Sequence, residues 1–256
     1  MIGLIPAEIR RQTGRRGSFY GSLGFALLFA IFLGIWAVTT KSDPSRTTII
    51  VNGKGLVSAA VVICSIVVGA IAGAYDTDQG TMRYLVLTGR PRWQLVIVRY
   101  LAFIATVLLF TTPAIIAILL IQFFGHAGGP PSPDANGWPP AIDMIWGIWL
   151  SGILYGFLAL SIGTFLKSNA VAIAVAIALN FAGVLAAGLL WEYVNHTLGN
   201  IFYPVVVSGI VERSATGAGP DAAFGTISVA GSVIVLALWL VVLIGAAIAR
   251  VQRSEY

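Results

Sequence analysis

Six apolar runs constrain this chain more than any other feature. They cover residues 19–38, 56–75, 95–124, 145–166, 170–190 and 229–249. Each is long enough for an α-helix to cross a hydrocarbon core, which takes about 20 residues. Lipid offers no hydrogen bonds to exposed backbone, so a crossing segment has to satisfy its own amides as a helix. Of the 256 residues, 58% are hydrophobic and only 10% are charged, against about a quarter charged in an ordinary soluble domain. The chain has too little polar side chain to cover this much apolar surface in water. The expectation is an all-α membrane protein of a single domain, residues 1–256, with six transmembrane helices. No cleavable signal peptide is evident, because arginines precede the first run and Gly34-Ile35-Trp36 is a poor cleavage site, so that run is expected to remain as an anchor.

The charges select an orientation. With both termini inside, Arg10, Arg11, Arg15, Arg16, Arg83, Arg90, Arg92, Arg99, Lys167, Arg250 and Arg253 face the cytoplasm, and only Lys41, Arg46, Lys54 and Arg213 face outward. The reverse topology inverts this bias and breaks the positive-inside rule. The expected location is therefore the cell membrane, multi-pass, with cytoplasmic termini. The net charge of +5 then belongs mostly to the cytoplasmic face, beside anionic headgroups, and carries no nucleic-acid signature, since no basic stretch is interleaved with base-stacking aromatics. The outer loops are 39–55, the Gly/Pro-rich 125–141, and 191–228. The last contains an apolar patch, 201–207, too short to span. It reads as a re-entrant or short helical hairpin before span six.

Two further segments lie at the inner face. Residues 1–18 hold Ile5 and Ile9 on one helical face with arginines behind them. Pro6 suits a helix start and Glu8 a first turn, so the segment reads as an amphipathic helix in the interface. Residues 76–92, between spans two and three, form a polar stretch of helical character. Asp76 or Asp78 can cap its start, Met82, Leu85 and Val86 share an apolar face at i, i+3 and i+4, Gly89 suits a left-handed stop, and Pro91 prevents continuation. Two or three turns are marginal alone, and an apolar face with a charged margin fits a groove on a soluble partner.

The pattern Asp76-x-x-x-Gly80-Thr81-x-Arg83-Tyr84-Leu85, followed by Gly89-Arg90-Pro91-Arg92 and by Arg99 in the third span, resembles the permease subunits of type-2 ABC exporters. The resemblance covers essentially the whole chain through the amino-terminal helix and the hairpin before span six. The chain departs from the family at Asp76, where Glu is usual, and at Gly89, where Pro is usual. The resemblance implies that residues 76–92 form a coupling helix, with Asp76, Gly80, Thr81, Met82, Arg83, Leu85, Val86 and Arg92 transmitting force from an ATPase. Glu8, Arg10 and Arg11 would add contacts on the same face. It also implies two cytoplasmic ATPase subunits, a second permease subunit, identical or homologous, and spans two and five beside the central cavity. ATP and magnesium would sit on the partner, because this chain has no G-x-x-x-x-G-K-[ST] phosphate loop.

Within the spans, Gly69-x-x-x-Gly73 and Gly152-x-x-x-Gly156 read as close helix-packing sites. Asn180 lies deep in span five, where an amide has to face protein or a wet cavity. With Ser58 and Ser65 it is a candidate for the path lining. Thr111-Thr112-Pro113 interrupts the third run and reads as a kink whose hydroxyls help satisfy nearby backbone. Cys64 reads as a small buried side chain. Asp143 and Arg99 fall near span ends, where both can reach headgroups. That leaves no midplane charge relay and disfavours a proton-coupled carrier. H-E-x-x-H and G-x-S-x-G are absent, and His126 and His196 fall in outer loops, so neither catalysis nor a metal site is expected. The mostly apolar spans favour a hydrophobic or amphipathic cargo such as a drug, lipid or peptide, placing the chain among efflux and multidrug-resistance exporters. The competing class is a membrane sensor or immunity protein that binds its ligand without moving it.

Overall fold

The computed structural model describes residues 3–39, 46–79, 91–124, 140–166, 168–195, 198 and 229–253. All regular structure among them is helical. The helices are α1 (Leu4–Thr13), α2 (Arg16–Thr39), α3 (Arg46–Asp78), α4 (Arg92–Phe124), α5 (Pro140–Phe165), α6 (Asn169–Tyr193) and α7 (Val229–Arg253). Each apolar run lies within, or within one residue of the end of, one of α2 to α7. Several helices overrun their runs. α3 starts ten residues before the expected span, inside the segment expected as the first outer loop. A helix satisfies its own backbone in water as well as in lipid, so it need not end where the apolar residues do. Three helical stretches among the described residues are long and apolar enough to cross a membrane, Val57–Asp76, Arg92–Leu120 and Ile145–Phe165, and Arg16–Phe32 and Asn169–Leu179 are shorter apolar helices.

The tightest packing joins α3 to α5, the most extensive helix contact among the described residues. Gly152 lies at Val61 and Ser65, Gly156 lies on Gly69, and Gly163 meets Gly73 and Ala70. A Cβ on Gly69 would run into the Gly156 carbonyl oxygen, and one on Gly73 into that of Leu160. Both expected small-residue pairs therefore work within the chain, where bare glycines let two backbones touch. The contact extends to Gly163, a position the spacing argument did not include. Residue numbers rise together across it, so α3 and α5 run parallel.

The other contacts fix the remaining directions. Arg15 reaches the Ile71 carbonyl while the Cys64 thiol donates to the Ser22 carbonyl, so α2 opposes α3. Tyr100 bonds Ser161 and Phe103 lies on Gly156, so α4 opposes α5. Asn169, at the start of α6, bonds Asp78 at the end of α3, and Ala172 and Ala176 pack with Ile66, Ala70 and Ala74, so α6 opposes α3. Arg92, at the start of α4, donates to the Val251 and Gln252 carbonyls at the end of α7. Helices α2 to α7 therefore alternate in direction. α4 runs unbroken through Pro113, where the Thr111 and Thr112 hydroxyls bond the Val107 and Leu108 carbonyls at 2.7 and 2.5 Å. Cys64 is buried, as expected.

Candidate functional site: the charged end of the bundle

The alternation gathers the end of α1, the starts of α2, α4 and α6, and the ends of α3, α5 and α7 at one end of the bundle. That end holds Glu8, Arg10, Arg11, Arg15, Arg16, Asp76, Asp78, Arg92, Arg99, Arg250 and Arg253. At its centre is Asp76, 1% exposed. α3 runs through Asp76 to Asp78, and the helix that either acid was expected to cap lies outside the described residues. A carboxylate in the last turn of a helix opposes the helix dipole, so it needs compensation from elsewhere. Arg11 supplies it to Oδ1 at 2.6 Å, and Arg99 pairs with Oδ2.

Arg99 is not a residue reaching for headgroups, as expected, but one 4% exposed. Its second amino group donates to the Gly73 carbonyl at 3.3 Å. Gly73, which lets α5 approach α3, therefore also presents its carbonyl to α4. The ion pairs lie at a single end of the bundle and close on each other. Burying two charges in low dielectric is costly, and pairing with further hydrogen bonds recovers most of that cost.

α1 is part of this cluster. Ile5, Glu8, Ile9 and Gln12 lie on one side and are half-buried or buried, whereas Ala7 and Arg10 are exposed. Glu8 is past the first turn and accepts from Arg11 at 2.6 Å. Gln12, 2% exposed, donates to the Arg99 carbonyl and accepts from the Thr106 hydroxyl at 2.9 Å. α1 packs chiefly against α4, so its polar face is turned into the bundle as well as its apolar side chains. Of the candidate partner contacts, Arg10 is exposed, Glu8 is engaged within the subunit, and Arg11 is engaged and half-buried. Burial opposes the Arg11 charge, but attraction to Glu8 and then Asp76 outweighs it and raises the pKa.

Arg15, between α1 and α2, lies with its guanidinium carbon 3.7 Å from the centre of the Tyr75 ring. One amino group donates to the Ile71 carbonyl at 3.2 Å. Its Nε and Nη2 are buried without a partner among the described residues, as are the Nε atoms of Arg11 and Arg99. Burial, followed by repulsion from Arg11, lowers the Arg15 pKa to about 10. It remains a cation at neutral pH, in surroundings that hold more positive charge than their carboxylates offset.

The other expected site residues divide three ways. Arg92 is described and holds the last carbonyls of α7, a common way for arginine to finish a helix. Gly80, Thr81, Met82, Arg83, Leu85 and Val86 lie outside the described residues, as do His126, His196 and residues 201–207. Ser58 is half-buried and Ser65 fully buried, and the Ser65 hydroxyl has no hydrogen-bond partner among the described residues. Asn180 is in α6, with its side chain outside what the structure describes. Gln12, Tyr75 and Thr106 were not anticipated. The spacing of Gln12 from Ile5 and Glu8 by about two turns and one turn is the one signal that could have placed it on the inward face. No family model matches the chain, and no curated protein matches it.

Proposed function

We propose that this chain is the transmembrane permease subunit of an ATP-driven ABC exporter, and that residues 76–92 are the lever through which separate ATPase subunits drive it. The observation that carries this reading is the position of the 76–92 connection. It leaves α3 next to Asp76 and enters α4 at Arg92, at the end of the bundle where the arginines gather. In a cell membrane that basic end belongs in the cytoplasm, and six alternating helices return both termini to it. The resemblance of Asp76-x-x-x-Gly80-Thr81-x-Arg83-Tyr84-Leu85 to type-2 ABC exporter permeases adds the partner.

Two copies, or this chain and a homologous one, would enclose a path for a hydrophobic or amphipathic cargo. Two ATPases, carrying ATP and magnesium, would press on the apolar face of Met82, Leu85 and Val86. The Asp76 cluster would pass the displacement to α3, α4 and α1 together, because one carboxylate joins all three. Replacing Leu85 and Val86 by Asp tests this. Transport and ATPase co-purification should be lost while insertion and folding persist. A double variant that transports normally and retains its ATPase would sink the lever, whereas a wild-type chain that recruits no ATPase and moves no cargo would favour the sensor or immunity reading.

A further inference from the structure

The geometry points to a binding site for a phosphate oxyanion at Arg15, between the α1–α2 junction and the inner half of α3. A guanidinium has two forks, and the side-on fork made by Nε and Nη2 is the one that takes a phosphate or carboxylate bidentately. In Arg15 that fork is the unused part. Nη1 is spent on the Ile71 carbonyl, the face of the group rests on Tyr75, and Nε and Nη2 have no partner among the described residues although neither reaches solvent.

Buried donors left unmade are costly and are normally satisfied. These two are fixed in orientation by the ring beneath and the carbonyl beside them. The surroundings have the matching charge. Among the described residues, Arg11, Arg15 and Arg99 face Glu8 and Asp76, one negative charge short of balance, and the Nε atoms of Arg11 and Arg99 are likewise buried and unpartnered there. An oxyanion would supply the missing charge and the missing acceptors together. Protein covers the fork, so entry takes a local shift of side chains beside Arg15, which is itself half-buried at a helix junction. At the basic end of a membrane bundle two sources offer this chemistry: the headgroup of an anionic phospholipid and free inorganic phosphate. The site does not depend on the transport reading.

The full chain, purified in detergent, tests it by native mass spectrometry with phosphatidylglycerol or phosphatidylcholine added, and by thermal stability with inorganic phosphate. The wild type should retain phosphatidylglycerol over phosphatidylcholine. Arg15→Gln should weaken that retention by roughly tenfold, the loss of a charge-assisted pair, and Arg16→Gln, changing an exposed neighbour, should leave it intact. Arg15→Lys keeps the charge without the fork and remains informative where Arg15→Gln fails to fold. It should bind as weakly as Arg15→Gln. Stabilisation by inorganic phosphate that Arg15→Lys abolishes, without lipid preference, assigns the site to the free anion. Wild-type binding in Arg15→Lys, or equal retention of the two lipids with no effect of phosphate, overturns the proposal.

Discussion

Asp76→Asn removes one charge and leaves two arginines to find other partners, and the structure says how unequally they fare. Arg99 is 4% exposed and would keep only its bond to the Gly73 carbonyl. Breaking a buried pair from one side costs about 3–5 kcal/mol, because the stranded charge stays buried. Arg11 retains Glu8, and its side chain is 29% exposed, so its share is that of a solvent-screened pair, under about 1 kcal/mol. The single variant should therefore lose about 3–5 kcal/mol, nearly all of it through Arg99. Removing both partners of the buried pair, as in Asp76→Leu with Arg99→Met, eliminates the stranded charge, and such replacements are often close to neutral. The double variant should then be more stable than Asp76→Leu alone, with a coupling energy of about 2 kcal/mol or more. Equilibrium unfolding of the purified chain in mixed micelles measures both quantities. An Asp76→Asn variant within about 1 kcal/mol of wild type, or a cycle additive to within about 0.5 kcal/mol, would refute the argument that a buried carboxylate ties the three helices together.

The glycines of the α3–α5 contact should respond by position. Gly69→Ala and Gly73→Ala each drive a Cβ into a backbone oxygen and should cost roughly 1–3 kcal/mol as overpacking does. Gly245→Ala, with open space around it, should be neutral or gain up to about 1 kcal/mol in the same unfolding assay. Ser65→Ala removes a buried hydroxyl that has no partner among the described residues, so stability should hold or rise by about 1 kcal/mol. A clear loss of stability would reveal a bond to Ser65 from elsewhere, and lost transport at full stability would put the hydroxyl on the cargo path.

The helices were legible because each depends on one local property. A run of about 20 apolar residues leaves the backbone no alternative to intrahelical bonding, and α2 to α7 follow the six runs. The Gly69/Gly73 and Gly152/Gly156 spacings were legible for a similar reason, since small residues one turn apart clear a stripe wherever the helix packs. The charges were read less well. From sequence, Arg99 leans toward headgroups, and Glu8 and Arg11 await a partner. Each of those readings treats a charge together with its neighbours in the chain.

The sequence alone determined the apolar helical segments and the bias of basic residues to one set of connections, because hydropathy and charge are read residue by residue along the chain. Only the tertiary structure decided that Asp76 lies in the last turn of α3 and is held by Arg11, 65 residues away, and by Arg99, 23 residues away. It also decided that α1 turns its polar face inward to reach Thr106. The physical reason is that the cost of burying a charge depends on what lies opposite it in space, and the groups opposite Asp76 come from two other helices.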